Sequence, residues 1–190
     1  MLKNLNTKKK LFLFPILFIL IVIISTFLYE HYSNIANTRN NVAITTDKFI
    51  QQLLKGRISI YQFLRKPSEK LEEIVYINFK QLDQNVLNLK TTLTEEKNRI
   101  LCDKIIDNSV KYIEYFDIMA KQRILDYNNG IKEESSEIKD IISKMVVIGL
   151  SLEEEIEKIN KSATELREDA NSLLNETLII LAIIAIIVFI

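Results

Sequence analysis

The stretch LLKGRISIYQFLRKPSEKLEEIVYINFKQLDQNVLNL, Leu53 to Leu89, holds two helical patterns and the break between them. Leu53, Gly56, Ile60 and Phe63 recur at alternating steps of three and four residues, and so do Leu71, Val75, Asn78, Leu82, Asn85 and Leu89. That spacing puts each set on one face of a helix and favours shallow packing against a neighbour. Between them stands Lys66-Pro67-Ser68. Proline cannot continue the first helix, and a serine hydroxyl can cap the second. The pattern therefore predicts a helix, a tight turn and a second helix folding back.

The same reading extends outward. Val42, Thr46 and Phe49 continue the first stripe. Thr92 and Glu95 have the spacing of a capping box, which marks a second break. Asn128-Asn129-Gly130 is a strong turn signal and marks a third. Between these breaks lie Cys102, Ile106, Ser109, Ile113, Phe116, Ala120 and Ile124. The last segment has Met145, Gly149, Leu152, Ile156, Ile159, Ala163, Leu166, Ala170 and Leu173. With only 3 Gly, 2 Pro and no Trp, the composition is almost wholly helical. Four stripes joined by three short turns predict an all-α fold, an antiparallel up-down four-helix bundle.

Two apolar runs flank this region. Leu11 to Tyr29 is 19 residues, close to the roughly 20 that a membrane-spanning helix needs. Its exit, Ser25-Thr26-Phe27, makes a poor cleavage site, so an anchor is expected rather than a signal peptide. Pro15 lies early in the run, where a membrane helix tolerates a kink. Leu178 to Ile190 is 13 apolar residues and reads as a second membrane helix cut off part-way. Net charge is zero, with 25 basic and 25 acidic residues, but Lys3, Lys8, Lys9 and Lys10 all precede the first run. The positive-inside rule keeps such a tail in the cytoplasm. The expected layout is a basic tail (1–10), a membrane helix (11–29), a sensor bundle (30–176) and the start of a second membrane helix (177–190). In a bacterium this is a multi-pass inner-membrane protein with its bundle in the periplasm.

Levelling the four stripes puts Gly56, Asn78, Ser109 and Gly149 in one layer of small or polar residues. Arg57 adjoins it, within a flanking stripe of Ile50, Leu54, Tyr61 and Leu64. An inward-leaning guanidinium needs a partner, because an unpaired buried charge is costly. A ligand carboxylate held in bidentate fashion would serve. A nearby glutamate or solvent would also serve, and the glycines would then only let helices approach or bend. Arg57, Tyr61, Asn78 and Ser109 are the candidate ligand contacts, with Tyr76 and Tyr112 either lining the same region or filling core.

Catalytic chemistry is not expected. No phosphate-binding glycine loop, HExxH or paired cysteine occurs, and His31 and Cys102 are each alone. That count excludes an internal disulfide and a Cys–His zinc site, so neither a metal nor another cofactor is expected. Cys102 reads as a small core residue. The acidic groups Glu153-Glu154-Glu155 and Glu133-Glu134 read as solvated helix faces. No basic stripe outside the membrane points to nucleic acid.

Leu53 to Leu89 resembles helices 1 and 2 of the sensor domains of bacterial methyl-accepting chemotaxis proteins, in their four-helix-bundle and helical-bimodular forms. The shared pattern is an Arg after a small residue (Gly56-Arg57), a Tyr four residues on (Tyr61), a short break and regularly spaced Leu. ELREDANSLLNE (165–176) and MLKNLNTKKKLFLFPIL (1–17) are similar to the ends of such receptors. The resemblance implies a homodimer that binds a small molecule, often an organic acid or amino acid, with Arg57 and Tyr61 as contacts. It implies a shift of the last helix, passed through a HAMP linker to a cytoplasmic coiled coil that controls a kinase. Some 147 residues between the runs suffice for one bundle, not two modules. The expected function is the sensing and membrane portion of a chemoreceptor. The other readings are the sensor of a membrane histidine kinase or cyclic-dinucleotide enzyme, and a ligand-free coiled-coil scaffold.

Overall fold

A computed structural model of the chain describes residues 7–189, with side chains described over 15–186. Lys3 lies outside the described residues, as do the side chains of Lys8, Lys9 and Lys10. Four helices account for nearly everything described, and no strand occurs among those residues. They are α1 (Thr7–Arg65), α2 (Glu69–Thr92), α3 (Glu96–Asn128) and α4 (Ser136–Phe189). The chain divides into two compact units: Val42–Ser162, and the residues up to Asn41 together with those from Ala163. Helices α1 and α4 contribute to both.

Within Val42–Ser162 all four helices share one core. Phe49, Phe63, Phe79 and Phe116 are among its largest fully buried side chains, with Leu53, Leu82, Ile105, Met119, Leu152 and Ile156 around them. Each such side chain contributes roughly 1.5–3 kcal/mol on burial. Phe63 of α1 and Tyr76 of α2 both meet the Phe116 ring of α3 edge-on, at 5.3 and 5.7 Å between centroids.

The α1 stripe buries as expected at all seven positions from Val42 to Phe63. The α2 and α3 stripes do not. Helix α2 buries Val75, Phe79, Leu82, Val86 and Leu89, so Asn78 and Asn85 flank the core instead of entering it. Helix α3 buries Ile105, Tyr112 and Met119, leaving Ile106, Ile113 and Ile124 half-buried. In α2 the face with Phe79 and Val86 turns inward in place of Asn78 and Asn85, whereas in α3 the inward face takes Tyr112 and Met119 together with the buried polar groups Asn98, Arg123 and Asp126. In α4, Leu166 is half-buried, and Leu174 rather than Leu173 is buried.

Polar pairs bridge neighbouring helices along the core. Asn85 and Asn78 of α2 donate to Gln52 and Ser59 of α1, at 3.1 and 2.9 Å. Tyr76 and Lys90 of α2 reach Asp117 and Asp103 of α3. Asn98 and Asn108 of α3 donate to Ser162 and Glu155 of α4. Asn160 of α4 donates to Asp47 of α1 at 2.7 Å, and Arg57 of α1 pairs with Glu153 of α4 at 3.3 Å. In every pair of helices the partner's number falls as the residue's number rises.

The three turns use different devices. Ser68 caps α2 by accepting from the Leu71 N–H, as the sequence predicts. The capping box does not form: Thr92 Oγ1 donates back to the Leu89 carbonyl, and Glu95 occupies the cap position of α3 without a side-chain cap bond. Gly130, at φ +78°, ends α3 with the paired bonds of a Schellman motif, Ile131 N–H to Asp126 O and Gly130 N–H to Tyr127 O.

Arg123 secures this turn. It is only 3% exposed and donates to the carbonyls of Leu64, Ile131 and Lys132, joining the end of α1 to the α3–α4 connection. Truncation leaves three carbonyls without their charged donor. Arg123→Ala is expected to cost about 2–4 kcal/mol, read as a lower urea midpoint at unchanged slope.

In the other unit, Ala36, Ala170 and Leu174 are buried, and Arg167 donates to Asn40 at 3.0 Å. Residues 16–27 of α1 and 179–186 of α4 leave Ile16, Phe18, Ile23, Phe27, Ile179, Ile180 and Ile186 more than half exposed. Both α1 and α4 are long and apolar enough to cross a membrane.

Candidate functional site

Gly56 and Gly149 adjoin one stacked pair of aromatic rings, which fills the space between them. A Cβ on Gly56 would lie 2.7 Å from Cε2 of Phe79. A Cβ on Gly149 would lie 3.4 Å from Cε2 of Tyr112. Phe79 and Tyr112 stack on each other, 4.8 Å between centroids at 21°. The two glycines, on α1 and α4, thus flank a stacked pair contributed by α2 and α3.

Arg57 has its partner within the chain. Its guanidinium meets Glu153 at 3.3 Å, both side chains partly exposed. An ion pair that wet contributes at most about 1 kcal/mol. Arg57 and Tyr61 line a common cavity with Tyr112 and Met145, but its volume is about 20 Å³. That is room for a water molecule and not for an organic acid. Tyr61 itself is 60% exposed. Burial pushes the Tyr112 hydroxyl up to about 12, with the Arg57 charge opposing the shift.

The other two candidates lie elsewhere. Asn78 is held by Ser59 at the α1–α2 contact. Ser109 is fully buried on α3 and faces Asp83 of α2. So the structure brings Arg57 and Tyr61 together and does not gather Asn78 or Ser109 round the same cavity. Asp83 is the residue that periodicity missed. Burial holds its carboxyl above the usual carboxylate range, and the Ser109 hydroxyl counters part of that shift. Asp83 Oδ1 and Ser109 Oγ are sealed from solvent, and neither completes a hydrogen bond of ordinary geometry. The available signal was an acidic residue directly beside the core position Leu82.

Three further polar groups have structural partners. The Tyr76 hydroxyl donates to Asp117, with Glu72 a second acceptor, and burial followed by those carboxylates raises its pKa. Burial pushes the Cys102 thiol up to about 11, so it is a poor nucleophile. His31 lies edge-on to Tyr32. Among the described residues no cluster of His, Cys, Asp or Glu could hold a metal ion.

No protein-family description, no curated protein and no solved structure matches this chain.

Two stability tests follow from the aromatic layer and from Asp83. Gly56→Ala forces the Phe79 ring to shift and is expected to cost about 1–3 kcal/mol. Gly149→Ala meets Tyr112 at ordinary contact distance and gains helix propensity, up to about 1 kcal/mol. Thermal unfolding of the detergent-solubilised variants should move in opposite directions.

Asp83 has a folded pKa above its unfolded one. Its favourable contribution is complete below the unfolded value and is lost as pH rises through the folded value. Asp83→Asn should therefore melt above the parent at pH 7. The gap should close as pH falls below about 4.

Proposed function

We propose that this chain is the sensing and membrane portion of a bacterial chemoreceptor, built as an antiparallel up-down four-helix bundle between two membrane helices. One observation carries the reading: α1 and α4 each run without a break from buried core positions into a long exposed apolar segment. Lipid around 11–29 and 177–190 would remove that apolar surface from water. The falling partner numbers along all four helix contacts support the antiparallel order. The basic N-terminal tail supports a cytoplasmic N-terminus and a periplasmic bundle at the bacterial inner membrane.

Ile44, Leu54, Ile58 and Tyr61 form an exposed stripe on α1, between 44% and 60% accessible. Its spacing suits a second copy of the same helix, which supports a homodimer. In this reading a carboxylate-bearing ligand displaces Glu153 from Arg57, with Tyr61 beside it, and opens the small cavity they share. The displaced pair frees α4 from one tie to α1, and a change of that kind alters the balance between two helix arrangements. Histidine-kinase and cyclic-dinucleotide sensors would share this input.

A ligand-free scaffold is the second reading, and the filled glycine layer favours it. The two glycines accommodate Phe79 and Tyr112 and leave no gap.

One set of measurements separates these readings. The chain is joined after Ile190 to the remaining turns of a chemoreceptor's second membrane helix and the cytoplasmic signalling region that follows it, and kinase output is compared for the parent and Glu153→Gln. A sensor is expected to shift its basal output when the Arg57 tie is cut. Unchanged output in a correctly inserted protein favours the scaffold. Insertion is checked by labelling Glu133→Cys in intact cells with an impermeant maleimide. Labelling only after lysis would sink the membrane topology.

A further inference from the structure

Helix α1 runs unbroken from Thr7 to Arg65, but its interior is uneven. The stretch SNIANTRNN, Ser33 to Asn41, has Ser, Thr or Asn at six of its nine positions: Ser33, Asn34, Asn37, Thr38, Asn40 and Asn41. These residue types rank low as helix formers, because their short polar side chains offer the backbone competing hydrogen bonds. That competition takes place at Thr38, whose hydroxyl donates to the Asn34 carbonyl at 2.9 Å. Back-bonding of this kind weakens helices and bends them.

Packing does not make up the difference. From Ser33 to Asn41 only Ala36 is buried, and its side chain is a single methyl group. Asn34, Asn37, Thr38 and Asn41 are exposed. Further along the same helix, Phe49, Leu53, Ile60 and Phe63 all enter the core. The α4 stretch in the same unit, ATELREDANSLLNE (163–176), is rich in the strong helix formers Ala, Leu, Glu and Arg. It buries Ala163, Ala170 and Leu174. Arg167 donates to Asn40 across the two stretches, a bond that adds nothing to the backbone ladder of either helix.

Stability within a folded chain is local, and segments with few buried apolar contacts and weak helix preference open first. We propose that residues 33–41 are a hinge built into α1. They open as a local unit while the helix on either side stays intact, and residues 163–176 of α4 remain helical. Opening lets the apolar run and the core-forming part of α1 bend and twist independently of each other. The inference concerns the helices themselves and holds for a receptor and a scaffold alike.

The test is amide hydrogen exchange, read by mass spectrometry on the full detergent-solubilised chain and compared as protection factors. Protection over 33–41 is expected to be at least about tenfold lower than over 46–60 and over 163–176. Urea below the unfolding transition should leave exchange at 33–41 nearly unchanged, because a local opening exposes little new surface. Asn34→Ala and Asn37→Ala together, at two exposed positions, should slow that exchange about threefold to tenfold and leave 46–60 as in the parent.

Protection over 33–41 equal to that of either comparison segment would overturn the proposal. So would exchange there that accelerates with urea in step with 46–60, the mark of global unfolding, or a double variant that exchanges at the parent rate. None of these results bears on kinase output or membrane insertion, so the hinge and the receptor reading fail separately.

Discussion

The Phe79 ring occupies the space that a side chain at position 56 would need. Much of the arrangement around it depends on that close approach. Phe79 can lie against the α1 backbone only because residue 56 is glycine. Its other face is then free to stack on Tyr112, whose edge reaches Gly149 of α4. All four helices are held at one level by two rings and two missing side chains. Close packing of this kind tolerates little change in volume, so the layer fixes register as well as contributing burial.

Polar contacts reinforce the same register at other levels. Gln52–Asn85, Ser59–Asn78, Asn108–Glu155 and Asp47–Asn160 sit at the margins of the core. A neutral pair of this kind contributes about 0.5–1.5 kcal/mol, and one to a carboxylate up to about 3 kcal/mol before solvent weakens it. Their value is in rejecting slipped alignments, which would leave half-buried amides without partners. Arg123 does the corresponding work at the turn, where three backbone carbonyls would otherwise lack a donor. Asp83 is the exception, an acidic group part-buried at the α2–α3 contact with only the Ser109 hydroxyl against its sealed oxygen.

The ligand argument built on Arg57 is altered by this packing. A charged residue next to a glycine resembles the lining of a gap. Here the gap holds an aromatic pair, and the guanidinium turns outward to Glu153. What remains for signalling is a weak ion pair between α1 and α4. Weak ties suit a switch, since a modest ligand preference can shift a nearly balanced equilibrium.

The sequence by itself determined the helical class, the Ser68 cap, the glycine turn, the α1 stripe and the two apolar runs. These are local properties: backbone chemistry at Pro67, Ser68 and Gly130, and a periodicity that α1 carries without ambiguity. Only the tertiary structure decided which face of α2 and α3 turns inward. Asn78 and Phe79 belong to stripes of equal spacing, as do Ile113 and Tyr112, and spacing cannot rank them. On α2 the choice goes with the apolar volume of Phe79 and Val86, and on both helices with the fit of the Phe79–Tyr112 pair into the room left by Gly56 and Gly149. For the same reason the partner of Arg57 and the burial of Asp83 against Ser109 were not legible, because both depend on which residues of other helices stand opposite.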